Sequence, residues 1–89
     1  MIVCKHVYYS GRVQGVGFRY TAHGLAAGYK VAGFVRNLRN GDVELLAEGP
    51  ADQVEAFLAK LAQRMAAYIQ QVNERDEPPS GLDEFQISY

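Results

Sequence analysis

Residues 11–19 read GRVQGVGFR, a stretch with three glycines that joins two different apolar patterns. The run before it, Ile2–Ser10, is rich in β-branched and aromatic residues and predicts a strand. After it, apolar residues recur at helical spacing from Phe18 to about Tyr29, which predicts a helix. The stretch is therefore a glycine-rich connection from a strand to the N-terminus of a helix.

The remainder of the chain predicts a hairpin, a second helix and a last strand. Two strand-like runs meet at Asn40-Gly41, the dipeptide that best tolerates the positive φ angles of a type I′ turn. Pro50 suits the first turn of a helix, and apolar residues then fall on one helical face as far as Met65. Beyond about Tyr68 the chain is more polar, and its pattern does not show where the second helix ends and the next strand begins. FQISY at 85–89 predicts a short alternating strand.

This order of elements predicts an α+β fold of the ferredoxin-like βαββαβ type. We expect a sandwich in which a mostly antiparallel sheet of four to five strands carries both helices on one face. With 89 residues, 48% of them apolar, the chain is long enough for one core and shows no linker or repeat. Residues 1–89 are therefore predicted to form a single domain.

Charge and composition weigh against several classes of function. A net charge of −1 provides no basic field of the kind that holds nucleic acid. The lone Cys4 and the separated His6 and His23 predict neither an internal disulfide nor a metal site. No apolar run approaches the length that spans a membrane. We expect a cytoplasmic protein without a membrane partner, with a monomer as the default state.

The glycine-rich stretch has the ingredients of an anion site but matches neither common nucleotide motif. Tyr20 stands where G-x-G-x-x-G requires its third glycine, and no Lys-Ser/Thr pair follows as in a Walker loop. Glycines nevertheless let backbone N–H groups approach an anion closely, and the N-terminus of a helix favours negative charge. Arg19 in the first helical turn is unfavourable unless an anion binds there. The alternative from composition alone is a tight connection with no further role.

Two blocks of the sequence carry a resemblance to a known family. GRVQGVGFR and the later block GFVRNLRNGDVELLAEG, in which Asn37 follows eighteen residues after Arg19, resemble the two signature blocks of the acylphosphatase family. The resemblance extends over essentially the whole chain. It implies an enzyme that hydrolyses the carboxyl–phosphate bond of small acyl phosphates to a carboxylate and inorganic phosphate, which would be both product and inhibitor. It implies no metal and no organic cofactor.

The resemblance also implies roles for particular residues. Arg19 would bind the phosphoryl group together with the backbone N–H groups of Gln14, Gly15, Val16, Gly17 and Phe18. Asn37 would position the attacking water. Because an asparagine amide is not a usable general base, the proton of that water would pass to the phosphate of the substrate itself.

Other interpretations remain open on the sequence. An asparagine near the end of a strand is usually a turn or capping residue, and without the resemblance Asn37 would be assigned that role. An inactive module that only binds phosphorylated or carbamoylated ligands would carry the same two blocks. A ferredoxin-like RNA-binding domain is a weaker alternative: KVAGFVRN at 30–37 matches the RNA-binding signature at Lys30 and residues 33–35 but lacks two of its aromatics.

Overall fold

The chain folds into five strands and two helices in the order βαββαββ. The computed structural model describes residues 1–89. In chain order the elements are β1 (Ile2–Gly11), α1 (Phe18–Ala26), β2 (Ala32–Asn37), β3 (Val43–Pro50), α2 (Ala51–Arg64), β4 (Ile69–Glu77) and β5 (Phe85–Ile87). Neither helix is long and apolar enough to cross a membrane.

All five strands belong to one sheet with the spatial order β4-β1-β3-β2-β5. Strand β1 pairs antiparallel with both β3 and β4, and β3 pairs antiparallel with β2. Only β5 runs parallel to its neighbour, β2, so the sheet is mixed but mostly antiparallel. The arrangement confirms the predicted ferredoxin-like fold, with β5 as the fifth strand at one edge.

One hydrophobic core lies between the sheet and the two helices. Because side chains alternate between the faces of a strand, every second residue of the inner strands points toward the helices. The core contains Val7, Tyr9, Val13, Phe18, Ala22, Ala26, Val35, Val43, Leu45, Ala47, Val54, Phe57, Leu61 and Met65. Both helices therefore cover the same face, as predicted, and the other face of the sheet carries polar and aromatic side chains without a second layer of helices.

The β2–β3 hairpin lies where the sequence places it, but the predicted type I′ turn is wrong. A type I′ turn needs a positive φ angle at both central residues. In this turn Gly41 has a positive φ, 96°, and Asn40 does not. Gly41 N–H donates to Leu38 O at 3.2 Å, and Leu38 N–H donates to Asp42 O at 2.8 Å. This is a three-residue loop that ends in a left-handed glycine. Asn40 contributes through its side chain instead, because Oδ1 accepts the N–H of Asp42 at 3.0 Å.

Two element boundaries also differ from the sequence prediction. Helix α1 ends at Ala26 rather than near Tyr29, since Gly28 N–H already donates to Leu25 O in a tighter turn. The polar segment that the sequence left open forms the nine-residue strand β4. Its side chains are exposed beyond Ile69, so β4 is held in the sheet by backbone pairing with β1 and by polar side-chain contacts across that pair, such as His6 with Glu77.

Candidate active site

The loop between β1 and α1 presents a row of unpaired backbone donors. The first helical hydrogen bond of α1 runs from Thr21 N–H to Gly17 O at 2.9 Å. No residue from Gln14 to Tyr20 donates its N–H to another backbone group. The start of α1 also lacks a capping side chain and an acidic residue in its first turn. The positive end of α1 therefore has no partner within the protein, and such an end favours an anion.

Glycine is required at two positions of this loop by backbone conformation rather than by space. Gly15 and Gly17 have φ angles of 76° and 79°, in the left-handed region that residues with a Cβ atom seldom adopt. A Cβ built at either position would meet no atom within 4 Å. The two glycines thus turn the chain so that successive N–H groups can face one concave surface.

Arg19 is half-buried and has no carboxylate partner in the structure. Its guanidinium carbon lies 4.9 Å from the centre of the Tyr89 ring, a cation–π contact. A stacked guanidinium keeps its N–H donors in the plane of the fork, where they can reach phosphate oxygens in pairs. The charge of Arg19 is therefore available to a ligand.

Asn37 is the last residue of β2 and lies on the helix-facing side of the strand. Side chains alternate between the two faces along this strand: Gly33 and Val35 are buried, whereas Arg36 points to the other face and pairs with Glu44. The half-buried side chain of Asn37 makes no hydrogen bond within the protein. Its amide is thus free to bind a ligand or a water molecule.

One cavity brings these groups together. It has a volume of about 180 Å³ and is lined by Val13, Gly15, Gly17, Phe18, Arg19, Tyr20 and Asn37. Five of the seven residues assigned from the sequence therefore share one cavity. Gln14 and Val16 do not line it: Gln14 turns toward the hairpin, and Val16 packs against the core. Only their backbone N–H groups remain candidates for anion binding.

The match to known proteins covers nearly the whole chain. The acylphosphatase family model matches residues 5–87. The chain belongs to the acylphosphatase family. An acylphosphatase of Synechococcus sp. is 45% identical over 83 residues, which are 92% of this chain and 88% of that protein. An acylphosphatase of Trichormus variabilis is 43% identical over 87 residues, covering 97% and 86%.

A solved acylphosphatase structure agrees with the fold. The crystal structure of the acylphosphatase from Bacillus subtilis superposes with a TM-score of 0.89 at 32% identity and covers 100% of both chains. Together with the family match, this confirms the fold class and the activity class that the sequence predicted, the hydrolysis of acyl phosphates.

Gln14 connects the loop between β1 and α1 to the β2–β3 hairpin, a contact that could not be predicted from the sequence. Its side-chain Nε2 donates to Leu38 O at 2.7 Å and to Asp42 O at 2.9 Å. Leu38 follows Asn37 directly, so the two signature blocks are held to each other beside the cavity. A glutamine amide has two N–H donors, and both are used here.

A second hollow lies on the open face of the sheet and does not fit a phosphate site. It is larger, about 300 Å³, and is lined by Tyr8, Ser10, Asp42, Gln71, Asn73 and Arg75. The carboxylate of Asp42 would repel a phosphate there. The structure contains no group of three or more His, Cys, Asp or Glu side chains placed to hold a metal ion.

The face of the sheet that is not covered by helices carries a charged cluster around His6. His6 Nδ1 lies 2.6 Å from Glu77 Oε2, and Nε2 lies 2.7 Å from Glu44 Oε2. Because an ionised carboxylate only accepts hydrogen bonds, both ring nitrogens must donate, which describes a protonated imidazole. Burial alone would lower the pKa of His6, but the hydrogen bonds and charges of Glu77 and Glu44 outweigh it and raise that pKa.

Proposed function

We propose that Arg19 and the N–H groups of residues 14–18 hold the phosphoryl group of a small acyl phosphate, and that Asn37 places the water that hydrolyses it. The observation that carries this proposal is the shared cavity, in which an unpaired arginine and an uncapped helix start meet a free asparagine amide. Each group has the chemistry that the reaction needs, and no other part of the protein combines them.

Binding of the phosphoryl group follows from charge and donor geometry. Its oxygens would accept N–H groups of the loop and the forked donors of Arg19, while the helix dipole adds further attraction. In the transition state of phosphoryl transfer, charge spreads over these oxygens, and preorganised donors are most effective at that point. The same contacts would bind inorganic phosphate, which supports product inhibition.

Hydrolysis requires little activation of the substrate by the protein. The leaving carboxylate of an acyl phosphate is stable, so the main tasks are positioning and charge stabilisation. The carbonyl oxygen of the Asn37 side chain would accept a hydrogen bond from water and aim its lone pair at phosphorus. The proton released as the O–P bond forms would go to a phosphoryl oxygen, since neither a histidine nor a carboxylate lines the cavity.

The proposal extends to the state and surroundings of the protein. A single acylphosphatase-like domain over residues 1–89 is supported by one core shared by both helices and the sheet. The free Cys4 thiol supports a cytoplasmic location, where thiols remain reduced. A net charge of −1 supports a small-molecule partner rather than nucleic acid. We propose a monomer that works without a metal.

Hydrolysis of benzoyl phosphate in the presence of a metal chelator tests the proposal. We expect turnover by the parent protein and none above background by Arg19→Ala. Arg12→Ala is the matched control, because Arg12 lies in the same stretch but is exposed and does not line the cavity. It should retain parent activity. A folded parent that binds inorganic phosphate without turnover would identify the chain as a binding module instead.

A further inference from the structure

The exposed aromatic side chains of this protein are one that lines the cavity and one that contacts a residue of its lining. The chain has four phenylalanines and six tyrosines, and only Tyr20 and Tyr89 among them are exposed, at 68% and 90%. Tyr20 lines the phosphate cavity, and Tyr89 contacts Arg19 at its edge. A single exposed aromatic residue needs no explanation, but the placement of both at one cavity requires one.

The two rings have different contacts. Tyr89 is engaged by the Arg19 guanidinium at 4.9 Å. Tyr20 makes no aromatic or cation–π contact and is not part of the hydrophobic core. Because Arg19 and Tyr20 are consecutive in the first turn of α1, their side chains diverge by about 100° around the helix axis. Tyr20 therefore stands beside the arginine with an open ring.

We infer that Tyr20 gives the enzyme a preference for acyl phosphates whose acyl group is aromatic or otherwise flat and apolar. The inference rests on the proposed function, because it takes the phosphoryl group to be held by Arg19 and the loop. The acyl carbon is then only one bridging oxygen away from phosphorus, so the acyl group leaves the cavity at its rim. There it meets the Tyr20 ring.

The expected gain comes from ring packing and apolar burial. Aromatic pairs prefer offset or edge-to-face contact with centroids about 4.5–7 Å apart, and the contact adds to the effect of buried area. An acetyl group is too small to cover the ring, whereas a benzoyl group can. We expect about a fivefold difference in affinity between aromatic and methyl ligands, which corresponds to about 1 kcal/mol.

Binding of two phosphonates tests the role of Tyr20 without relying on turnover. The probes are phenacylphosphonate and acetonylphosphonate, in which a methylene group replaces the bridging oxygen of benzoyl and acetyl phosphate. They share the anionic group, resist hydrolysis and are measured by calorimetry at a pH at which both are dianions. We expect the parent to bind phenacylphosphonate about fivefold more tightly than acetonylphosphonate. This preference should disappear in Tyr20→Ala and persist in Tyr20→Phe, which keeps the ring. Val72→Ala, which removes an exposed apolar side chain on β4, is the control.

The outcomes separate the inference from the proposed function. Equal affinities of the parent for the two phosphonates, or an unchanged preference in Tyr20→Ala, would overturn the role of Tyr20 even if acyl phosphates are hydrolysed. Loss of the preference in Tyr20→Phe would overturn it too, because the hydroxyl rather than the ring would be responsible. A ring-dependent preference in a protein that hydrolyses neither acetyl nor benzoyl phosphate would support the Tyr20 site and refute the hydrolytic function.

Discussion

The side-chain amide of Gln14 donates a hydrogen bond to the backbone oxygen of Leu38, 2.7 Å away. Its second N–H reaches Asp42 O at 2.9 Å, so one side chain spans the hairpin turn. Gln14 belongs to the loop with the proposed phosphate donors, and Leu38 follows Asn37, the proposed water-positioning residue. This contact links the two halves of the site mechanically.

Replacing Gln14 tests that link. The Gln14→Glu substitution places a carboxylate of nearly the same shape against the carbonyl oxygens of Leu38 and Asp42. The carboxylate repels both oxygens, and neither oxygen keeps its hydrogen bond from residue 14. We expect the free energy of unfolding to fall by about 2 kcal/mol and the Kd for inorganic phosphate to rise roughly tenfold. Urea unfolding and calorimetry measure the two quantities. Gln70→Glu makes the same change at an exposed position of β4 and should alter neither. A Gln14→Glu protein with parent phosphate affinity would show that the loop does not depend on the link.

Tyr89 is expected to orient the guanidinium of Arg19. Removing the ring in Tyr89→Ala frees Arg19 to sample other rotamers, and an exposed cation–π contact is worth about 0.5–1 kcal/mol. We therefore expect the Kd for inorganic phosphate to rise about threefold, with little change in stability because Tyr89 is exposed. Tyr89→Phe preserves the ring face and should bind as the parent does. If the alanine variant binds phosphate equally well, Arg19 is held by other contacts.

The His6 cluster should make stability depend on pH. Glu44 and Glu77 hydrogen-bond the imidazole, Tyr8 stacks on it with ring centres 4.9 Å apart, and Arg36 also pairs with Glu44. Burial acts to raise the pKa of Glu44, but hydrogen bonds from His6 and Arg36 lower it overall. Glu44 therefore stays ionised while His6 titrates.

Because the pKa of His6 is raised in the folded protein, its contribution is complete below its ordinary pKa of 6.5 and is lost as the pH rises through the folded value. We expect the free energy of unfolding of the parent to decline over that range above 6.5. Urea unfolding at a series of pH values would measure it. His6→Gln should flatten the decline, and His23→Gln, which removes the other histidine, should leave it intact. A flat profile for the parent would show that the cluster does not couple protonation to folding.

Elements with buried side chains could be predicted from the sequence, whereas strand β4, whose side chains are mostly exposed, could not. Alternation along β2 places Asn37 on the same face as the buried residues Gly33 and Val35. Strand β4 was not predicted because it lies at the edge of the sheet, where its polar and charged residues show no alternation of apolar and polar side chains. The extent of α1 was overestimated because Tyr29 packs on the core from a turn rather than from the helix.

Contacts across the fold were beyond the reach of the sequence. Arg19 was a candidate from its position in the first helical turn, and Asn37 only from a family resemblance. The cavity that they share appears only in the structure. Glu48 is a further example: its carboxylate accepts the backbone N–H groups of Ser80, Gly81 and Leu82 and so holds the segment that leads into β5. These hydrogen bonds explain why the pKa of Glu48 is lowered. Nothing in the local sequence links residues 32–34 positions apart.

The division of roles between Arg19 and Asn37 is tested most directly by one variant, Asn37→Ala, with two readings on the same preparation. The first is kcat for benzoyl phosphate, and the second is the Kd for inorganic phosphate. If Asn37 only places water, we expect kcat to fall about a hundredfold while the Kd stays within about twofold of the parent value. A Kd that rises in step with the loss of kcat, or a kcat that does not fall, would contradict the proposed role of Asn37.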